Sequence, residues 1–188
     1  MKKLAIFGSG SGSNAENICN YFKGSASVTV VLICTNNKLS LIVNRAKKLN
    51  IPIKYTSADD LNDFSNLHQT LKNYNVDYII LAGFLLKIPT KMLNHYNKKI
   101  LNIHPSLLPK YGGRGMYGRN VHRAVLKNQE QESGITIHFV NQNYDEGEII
   151  LQKRCSVSNS ETVSSLEKKI RALEFKHFPC TIKKIILA

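Results

Sequence analysis

The chain has no long apolar run, although 43% of its 188 residues are hydrophobic. No segment approaches the roughly 20 apolar residues that a membrane-spanning helix requires. The apolar stretch nearest the start, Leu4–Phe7, leads directly into a glycine–serine loop. It is too short for the core of a signal peptide, which is about 7–15 residues long. We therefore expect a cytoplasmic protein without a membrane partner.

Paired cysteines and clustered metal ligands are also missing. Cys19, Cys34, Cys155 and Cys180 are far apart in the sequence. All of them except Cys155 lie among apolar residues, which favours buried free thiols. No group of histidine, cysteine or acidic residues has the spacing of a metal site. The sequence predicts neither a disulfide framework nor a bound metal.

Acidic residues are scarce, with 13 against 26 lysines and arginines, and the net charge is +13. Such an excess of positive charge raises the possibility of nucleic-acid binding. However, most of the cationic residues are lysines that occur singly or in pairs, and no basic stripe is interleaved with aromatic residues. We therefore predict a composition bias together with one site for an anionic small molecule, and no nucleic-acid partner.

Short apolar runs alternate with helix-length segments through the first half of the chain. The predicted strands are Leu4–Phe7, Val28–Cys34, Ile53–Tyr55, Tyr78–Leu81 and Ile100–Ile103. The predicted helices are Asn14–Phe22, Leu41–Leu49, Leu61–Asn73 and Pro89–Tyr96. This alternation predicts a Rossmann-like α/β fold, with a mostly parallel central sheet and helices on both faces.

The second half has a different pattern. A glycine-rich loop and a short helix, Val121–Leu126, precede two strands, Ile135–Val140 and Glu148–Val157, whose spacing predicts an antiparallel pair. A final helix is predicted from near Ser160 to about Phe178, since Pro179 follows. No linker, repeat or low-complexity segment interrupts the pattern, so we predict a single domain over residues 1–188.

The most specific motif is the segment Asn102–Pro109, which reads NIHPSLLP. Asn102 and His104 lie two residues apart at the end of a strand and so project from the same face. An amide donor beside an imidazole can stabilise a carbonyl oxygen as it becomes an oxyanion. Asp145, in the turn between the last two strands, would stabilise a charged imidazole if that turn folds over His104. Turn aspartates are ordinarily only turn formers.

Two further motifs suggest binding roles. The loop Phe7–Asn14 joins a strand to a helix, and its glycines allow backbone amides to approach a phosphate closely. No acidic residue ends the second strand, which favours a phosphate monoester over NAD as the ligand of this loop. The alternative is that the loop binds no ligand and is only a tight strand-to-helix turn, with Ser13 or Asn14 as the helix N-cap. Arg171 and Glu174 share one face of the final helix, a spacing that by itself favours an exposed ion pair.

Taken together, these motifs resemble those of phosphoribosylglycinamide formyltransferases, folate-dependent enzymes of purine synthesis. The resemblance covers Ser9–Asn14, Leu81–Phe84, Leu101–Pro109, Gly134–Val140, Asp145–Gln152 and Glu174, in the family's order and over nearly the whole chain. The segment around Asn102 and His104 is shared by formyltransferases and deformylases that use 10-formyltetrahydrofolate. The glycine–serine–asparagine loop indicates glycinamide ribonucleotide as the acceptor.

The resemblance implies a role for each matching residue. Gly12, Ser13 and Asn14 would bind the 5′-phosphate, Arg171 would add positive charge, and Glu174 would accept hydrogen bonds from the ribose. Folate, as the cosubstrate 10-formyltetrahydrofolate, would contact Leu85, Leu86, Lys87, Ile88, Asn102, Asn141, Gln142, Asn143, Tyr144 and Asp145. Many family members carry Met-Arg where this chain has Leu85–Lys87. The loop Tyr111–Asn120 is longer than the common version, so its residues receive no role.

The implied reaction transfers the formyl group of 10-formyltetrahydrofolate to the primary amine of N1-(5-phosphoribosyl)glycinamide. Its products are the N2-formyl compound and tetrahydrofolate. The catalytic residues would be Asn102 and protonated His104, which stabilise the oxyanion, and Asp145, which keeps the imidazole charged and helps to relay a proton. Both substrates are small molecules, and a monomer or a homodimer is expected.

Three other functions remain open. A formyltetrahydrofolate deformylase would keep the same three residues and use water, but such proteins usually carry an N-terminal regulatory domain, and this chain opens on its first strand. A related formyltransferase that acts on another amine, such as that of methionyl-tRNA, usually has an added C-terminal barrel. A non-enzymatic nucleotide-binding module would explain the glycine-rich loop but would leave Asn102, His104 and Asp145 unexplained.

Overall fold

The computed structural model describes all 188 residues. The elements, in chain order, are β1 (Lys2–Phe7), α1 (Ser13–Phe22), β2 (Val28–Thr35), α2 (Leu41–Lys48), β3 (Ile53–Tyr55), α3 (Ala58–Asp63), α4 (Ser65–Asn73), β4 (Tyr78–Leu81), α5 (Thr90–His95), β5 (Ile100–His104), α6 (Arg119–Lys127), β6 (Glu132–Phe139), β7 (Ile149–Ser156) and α7 (Val163–Leu187). None of the helices is both long enough and apolar enough to cross a membrane.

The seven strands form one sheet in the order β3-β2-β1-β4-β5-β6-β7. The first five strands in the chain pair in parallel, whereas β6 and β7 are antiparallel to their neighbours. This arrangement confirms the predicted fold class. The strand order reverses beside β1, where β2 lies on one side and β4 on the other. In open α/β sheets, ligands bind beyond the carboxyl ends of the strands at such a point.

Helices cover both faces of the sheet, as the continuous apolar strands predict. Helices α1, α2, α6 and α7 contribute to a core of 25 buried residues on one face. Helices α3, α4 and α5 contribute to a core of 15 on the other. Within β1, Leu4 and Ile6 belong to the first core and Ala5 and Phe7 to the second. A strand that is buried on both faces has no polar side, which explains its uniform sequence.

The helix predicted over Leu61–Asn73 is in fact two helices. Ser57 and Asp60 form a capping box that starts α3 earlier than predicted, and Phe64 interrupts the run with a left-handed φ of 65°. A bulky residue rarely adopts this conformation. Here, however, the ring of Phe64 is buried in the second core and stacks on His68. Tertiary burial therefore overrides the continuous helical pattern.

The final helix was also predicted wrongly at its end. It continues through Pro179 to Leu187. Proline has no N–H to donate to the carbonyl four residues earlier, but the Asn17 side chain donates to that carbonyl, on Phe175, at 3.0 Å. Pro179 is itself buried. Cys180, next to it, is exposed, which corrects the prediction of a buried thiol, whereas Cys19 and Cys34 are buried.

Candidate active site

A cavity of about 640 Å³ lies at the carboxyl ends of β1, β4 and β5. Its wall includes the loops that follow these strands, the segment Gly113–Gly118, and one face of α7. Register explains the convergence: Phe7 pairs with Leu81, and Leu81 with Asn102, so the three strands end at the same level. The volume falls within the usual range for small-molecule sites.

The glycine-rich loop after β1 enters the cavity and begins α1. Gly12 is the N-cap, with a left-handed φ of 72° and no side chain to accept the N–H groups of the first turn. A Cβ at this position would lie 2.7 Å from the Cα of Ile42, so only glycine fits against α2. Uncapped N–H groups at a helix start favour an anion.

Asn102, His104 and Asp145 meet in the cavity wall. The Nδ1 atom of His104 lies 3.4 Å from Oδ2 of Asp145, and the amide nitrogen of Asn102 lies 3.4 Å from Oδ1 of the same carboxylate. The turn between β6 and β7 therefore does fold over the end of β5. Asp145 has a left-handed φ of 58°, a conformation that aspartate tolerates better than most residues.

His138 completes this hydrogen-bonded group from the neighbouring strand. Its Nδ1 lies 2.8 Å from the carbonyl oxygen of Phe139, which can only accept, so Nδ1 carries the proton. The Nε2 atom then accepts from the amide of Asn102 at 3.1 Å. His138 pairs with Asn102 in the β5–β6 register and is fully buried. It therefore orients the amide of Asn102.

The Asp145 carboxylate is strongly stabilised in its charged form. Burial alone would raise its pKa, but the hydrogen bond and charge of His104, together with the Gly113 N–H, hold the pKa of Asp145 far below its ordinary value. The Gly113 N–H donates to Oδ2 at 2.9 Å. The carboxylate therefore stays charged at neutral pH and can compensate a positive charge on the imidazole.

A second polar group lies on α7, opposite the glycine-rich loop. The Asn14 amide donates to Glu174 at 2.9 Å, and burial raises the pKa of this carboxyl group. Arg171 donates to Glu167 at 2.7 Å rather than to Glu174, so the i,i+3 ion pair that spacing suggested does not form. Arg119 lies 3.7 Å from the same Glu167.

Comparisons of sequence and structure with known proteins identify the relatives of this chain. A sequence profile described as "Formyl transferase" matches residues 2–182.

The chain belongs to the formyl transferase family.

Individual relatives of this chain carry a more specific name than the family profile. The chloroplastic phosphoribosylglycinamide formyltransferase of Arabidopsis thaliana is 42% identical over 184 residues, which are 93% of this chain and 62% of the relative. The enzyme of the same name from Bacillus subtilis is 34% identical over 191 residues, covering 99% of this chain and 95% of the relative. The chain thus spans only 62% of the Arabidopsis protein and 56% of the protein of the same name from Vigna unguiculata, but nearly all of the Bacillus subtilis protein.

Solved structures of the family share the fold. The phosphoribosylglycinamide formyltransferase from Bacillus halodurans superposes with a TM-score of 0.89 at 32% identity, covering 98% of this chain and 95% of its own. The one from Anaplasma phagocytophilum superposes with a TM-score of 0.87 at 32% identity, covering 97% and 85%.

Most of the residues predicted for this formyl transferase site line the same cavity. They are Gly12, Ser13, Asn14, Leu85, Asn102, His104, Tyr144, Asp145, Arg171 and Glu174. Six of the predicted folate contacts do not line it: Leu86, Lys87, Ile88, Asn141, Gln142 and Asn143. Ile88 is buried in the second core, whereas residues 141–143 are exposed. Lys87 instead lies over the ring of Tyr144, with Nζ 5.8 Å from the centroid.

Several residues that line this cavity were not predicted from the sequence. Glu167 lies one helical turn before Arg171, and this i,i+4 spacing could have identified the ion pair. His122 also lines the cavity; its Nδ1 is buried without a hydrogen-bond partner, and burial lowers the pKa of the ring. No sequence pattern singled it out. The long glycine loop, whose residues received no role from the sequence, lines the cavity from Gly113 to Gly118.

Proposed function

We propose that this protein transfers the formyl group of 10-formyltetrahydrofolate to the primary amine of N1-(5-phosphoribosyl)glycinamide, which yields the N2-formyl product and tetrahydrofolate. The observation that carries the proposal is the meeting of Asn102, His104 and Asp145 in one cavity with an uncapped helix start. Relatives named phosphoribosylglycinamide formyltransferase support the choice of substrates.

The proposed acceptor site has two parts. The N-terminus of α1, with Gly12, Ser13 and Asn14, would bind the 5′-phosphate through backbone N–H groups. Arg171 is already paired with Glu167, so it would add charge near the phosphate while it stays held in place. Glu174 would exchange its hydrogen bond with Asn14 for ribose hydroxyl groups.

The proposed chemistry takes place at the carboxyl end of β5. As the amine attacks the formyl carbon, the oxygen gains negative charge and accepts from Asn102 and protonated His104. The contact of Asn102 with Asp145, at 3.4 Å, is longer than its contact with His138, at 3.1 Å. The longer contact is the one that the oxyanion would replace. Asp145 compensates the imidazole charge while a proton moves from the attacking amine to the leaving nitrogen.

The folate would occupy the remaining part of the cavity. The residues that line it there are Phe84 and Leu85 after β4, and Tyr144 beside Asp145. The backbone of Leu85 is held by the Ser9 hydroxyl at 3.0 Å, which joins the proposed folate wall to the glycine-rich loop. Residues 141–143 would reach the folate only if their loop moves inward.

One experiment tests the proposal directly. The protein is incubated with 10-formyltetrahydrofolate alone, with glycinamide ribonucleotide, and with the same acceptor lacking its 5′-phosphate, and tetrahydrofolate release is followed. We expect rapid release only with the complete ribonucleotide. Equal release without any acceptor would show a deformylase, and equal rates with and without the phosphate would contradict the proposed role of the α1 N-terminus.

A further inference from the structure

The segment Tyr111–Gly113 holds both members of the His104–Asp145 pair through its main chain. The carbonyl oxygen of Tyr111 lies 2.7 Å from Nε2 of His104. Two residues later, the N–H of Gly113 donates to Oδ2 of Asp145 at 2.9 Å, and this oxygen is the one that faces Nδ1 of His104. Gly112, the residue between Tyr111 and Gly113, packs closely against Asp145, since a Cβ on Gly112 would lie 3.2 Å from the Cβ of Asp145.

The contact with Tyr111 determines where the imidazole proton resides. A carbonyl oxygen can only accept, so Nε2 of His104 must carry a proton whenever this 2.7 Å hydrogen bond is formed. The N–H on Nε2 is then unavailable to the reaction. Only Nδ1, beside Asp145, can donate to an oxyanion or exchange a proton.

The conformation of Tyr111 suggests that this contact is specifically maintained. Its φ of 57° lies in the left-handed region, which a bulky aromatic residue adopts only where the surroundings hold it there. Its hydroxyl group donates to Glu130 at 2.9 Å and accepts from Asn128 at 2.9 Å. Both partners follow α6 and anchor the side chain away from the cavity, so the strained backbone keeps its carbonyl aimed at His104.

We infer that Tyr111 is a positioning residue, whose backbone carbonyl holds His104 as the Nε2–H form and makes Nδ1 the only nitrogen that takes part in proton transfer. When the imidazolium gives up its proton, the Nδ1–H bond breaks and its electron pair stays on Nδ1. The proton goes to the oxyanion or to the leaving nitrogen. Nε2 keeps its proton, so the neutral ring that remains is a single tautomer. The catalytic consequence rests on the proposed function, but the tautomer does not.

The first test reads the tautomer without any activity. The protein is labelled with 15N in its histidine side chains, the His104 signals are assigned by comparison with His104→Gln, and the neutral ring is observed by NMR. We expect a protonated Nε2 and an unprotonated Nδ1. A ring protonated on Nδ1, or a mixture of tautomers, would overturn the inference. If the expected tautomer is found in a protein that does not transfer formyl groups, the proposed function fails and the assignment of the ring stands.

The second test removes the anchor. Tyr111→Phe loses the hydrogen bonds to Glu130 and Asn128 but keeps the aromatic ring and the carbonyl. We expect a mixed tautomer at His104 and a kcat about tenfold lower, with the KM of both substrates nearly unchanged. Tyr21→Phe, at an exposed tyrosine, is the matched control. Wild-type kcat in Tyr111→Phe, or a loss of stability with an unchanged tautomer, would refute the positioning role. Asn128→Ala repeats the test if Tyr111→Phe does not fold.

Discussion

Replacing Asp145 with asparagine should almost abolish turnover while the fold is kept. Three groups point hydrogens at this carboxylate: Gly113 N–H at 2.9 Å, and His104 and Asn102 at 3.4 Å each. An asparagine has one accepting oxygen, so its NH₂ group would face a donor at the other position. The variant also loses the charge that compensates the imidazolium. Without that charge His104 no longer donates as an imidazolium, so we expect kcat to fall about 100- to 1,000-fold, the usual effect of losing one oxyanion donor.

The assay is tetrahydrofolate release with both substrates saturating, supported by a thermal melt that shows a cooperative fold. The matched control is Glu146→Gln, which makes the same charge change at the exposed next residue, and it should leave kcat within about twofold. An Asp145→Asn kcat within about threefold of wild type, in a folded protein, would show that Asp145 does not act in the reaction.

The same variant has a second, independent signature in stability. The pKa of Asp145 is lower in the folded protein than its ordinary value, so the ionised carboxylate stabilises the fold above that ordinary pKa. This contribution is lost as pH falls towards the folded-state pKa. Asp145→Asn should therefore be less stable than wild type near neutral pH in urea unfolding, and the difference should shrink below about pH 4. A constant difference across this range would contradict the assignment.

Three further predictions concern the surroundings of the site. Gly12→Ala should lower the free energy of unfolding by about 1–3 kcal/mol in urea, because the position is left-handed and leaves no room for a Cβ, whereas Gly10→Ala, in open space, should change it by less than about 0.5 kcal/mol. Asn17→Ala should lower the free energy of unfolding by about 0.5–1.5 kcal/mol in the wild type but by less in a Pro179→Ala background, where the helix supplies the missing N–H; equal losses would show that the hydrogen bond to Phe175 does not compensate for the proline. Glu174→Gln should raise the KM of the ribonucleotide without lowering stability near neutral pH. Burial raises the pKa of this carboxyl group, so ionising it lowers the stability of the wild type as pH rises above the ordinary pKa. The neutral variant does not lose stability in this way, so its free energy of unfolding relative to wild type should increase from about pH 5 to pH 7. A decrease over this range would contradict this account.

Local rules were sufficient for much of the fold. Continuous apolar runs on strands such as Val28–Cys34, separated by helices, predicted the parallel sheet, and the structure differs from the predicted strand bounds mainly at their ends. The same rules failed where distant groups decide the local conformation. Phe64 interrupts a helical pattern because its ring is buried in the second core. Pro179 is accommodated inside α7 because the Asn17 side chain donates to the Phe175 carbonyl, which the proline leaves without a backbone donor. Neither partner is close in sequence.

The candidate site also has parts that local sequence rules predicted and parts that they did not. Asn102 and His104 are two residues apart on a strand, so alternation alone places both in one wall, and the glycine pattern before α1 predicts an anion-binding helix start. The contact of the Asp145 carboxylate with His104 could not be predicted in this way, because Asp145 is 41 residues beyond His104 by sequence number. Only the folded turn brings Oδ2 of Asp145 to 3.4 Å from Nδ1 of His104.

By itself, then, the sequence determined the sheet, the pair Asn102–His104 and the loop at Gly12, since each depends on interactions between near neighbours in the chain. The tertiary structure alone decided that Asp145 reaches the imidazole, that Arg171 pairs with Glu167, and that the carbonyl of Tyr111 holds Nε2 of His104. Hydrogen bonds act over about 3 Å, and no pattern along one dimension contains the register and turn geometry that bring such atoms within that distance.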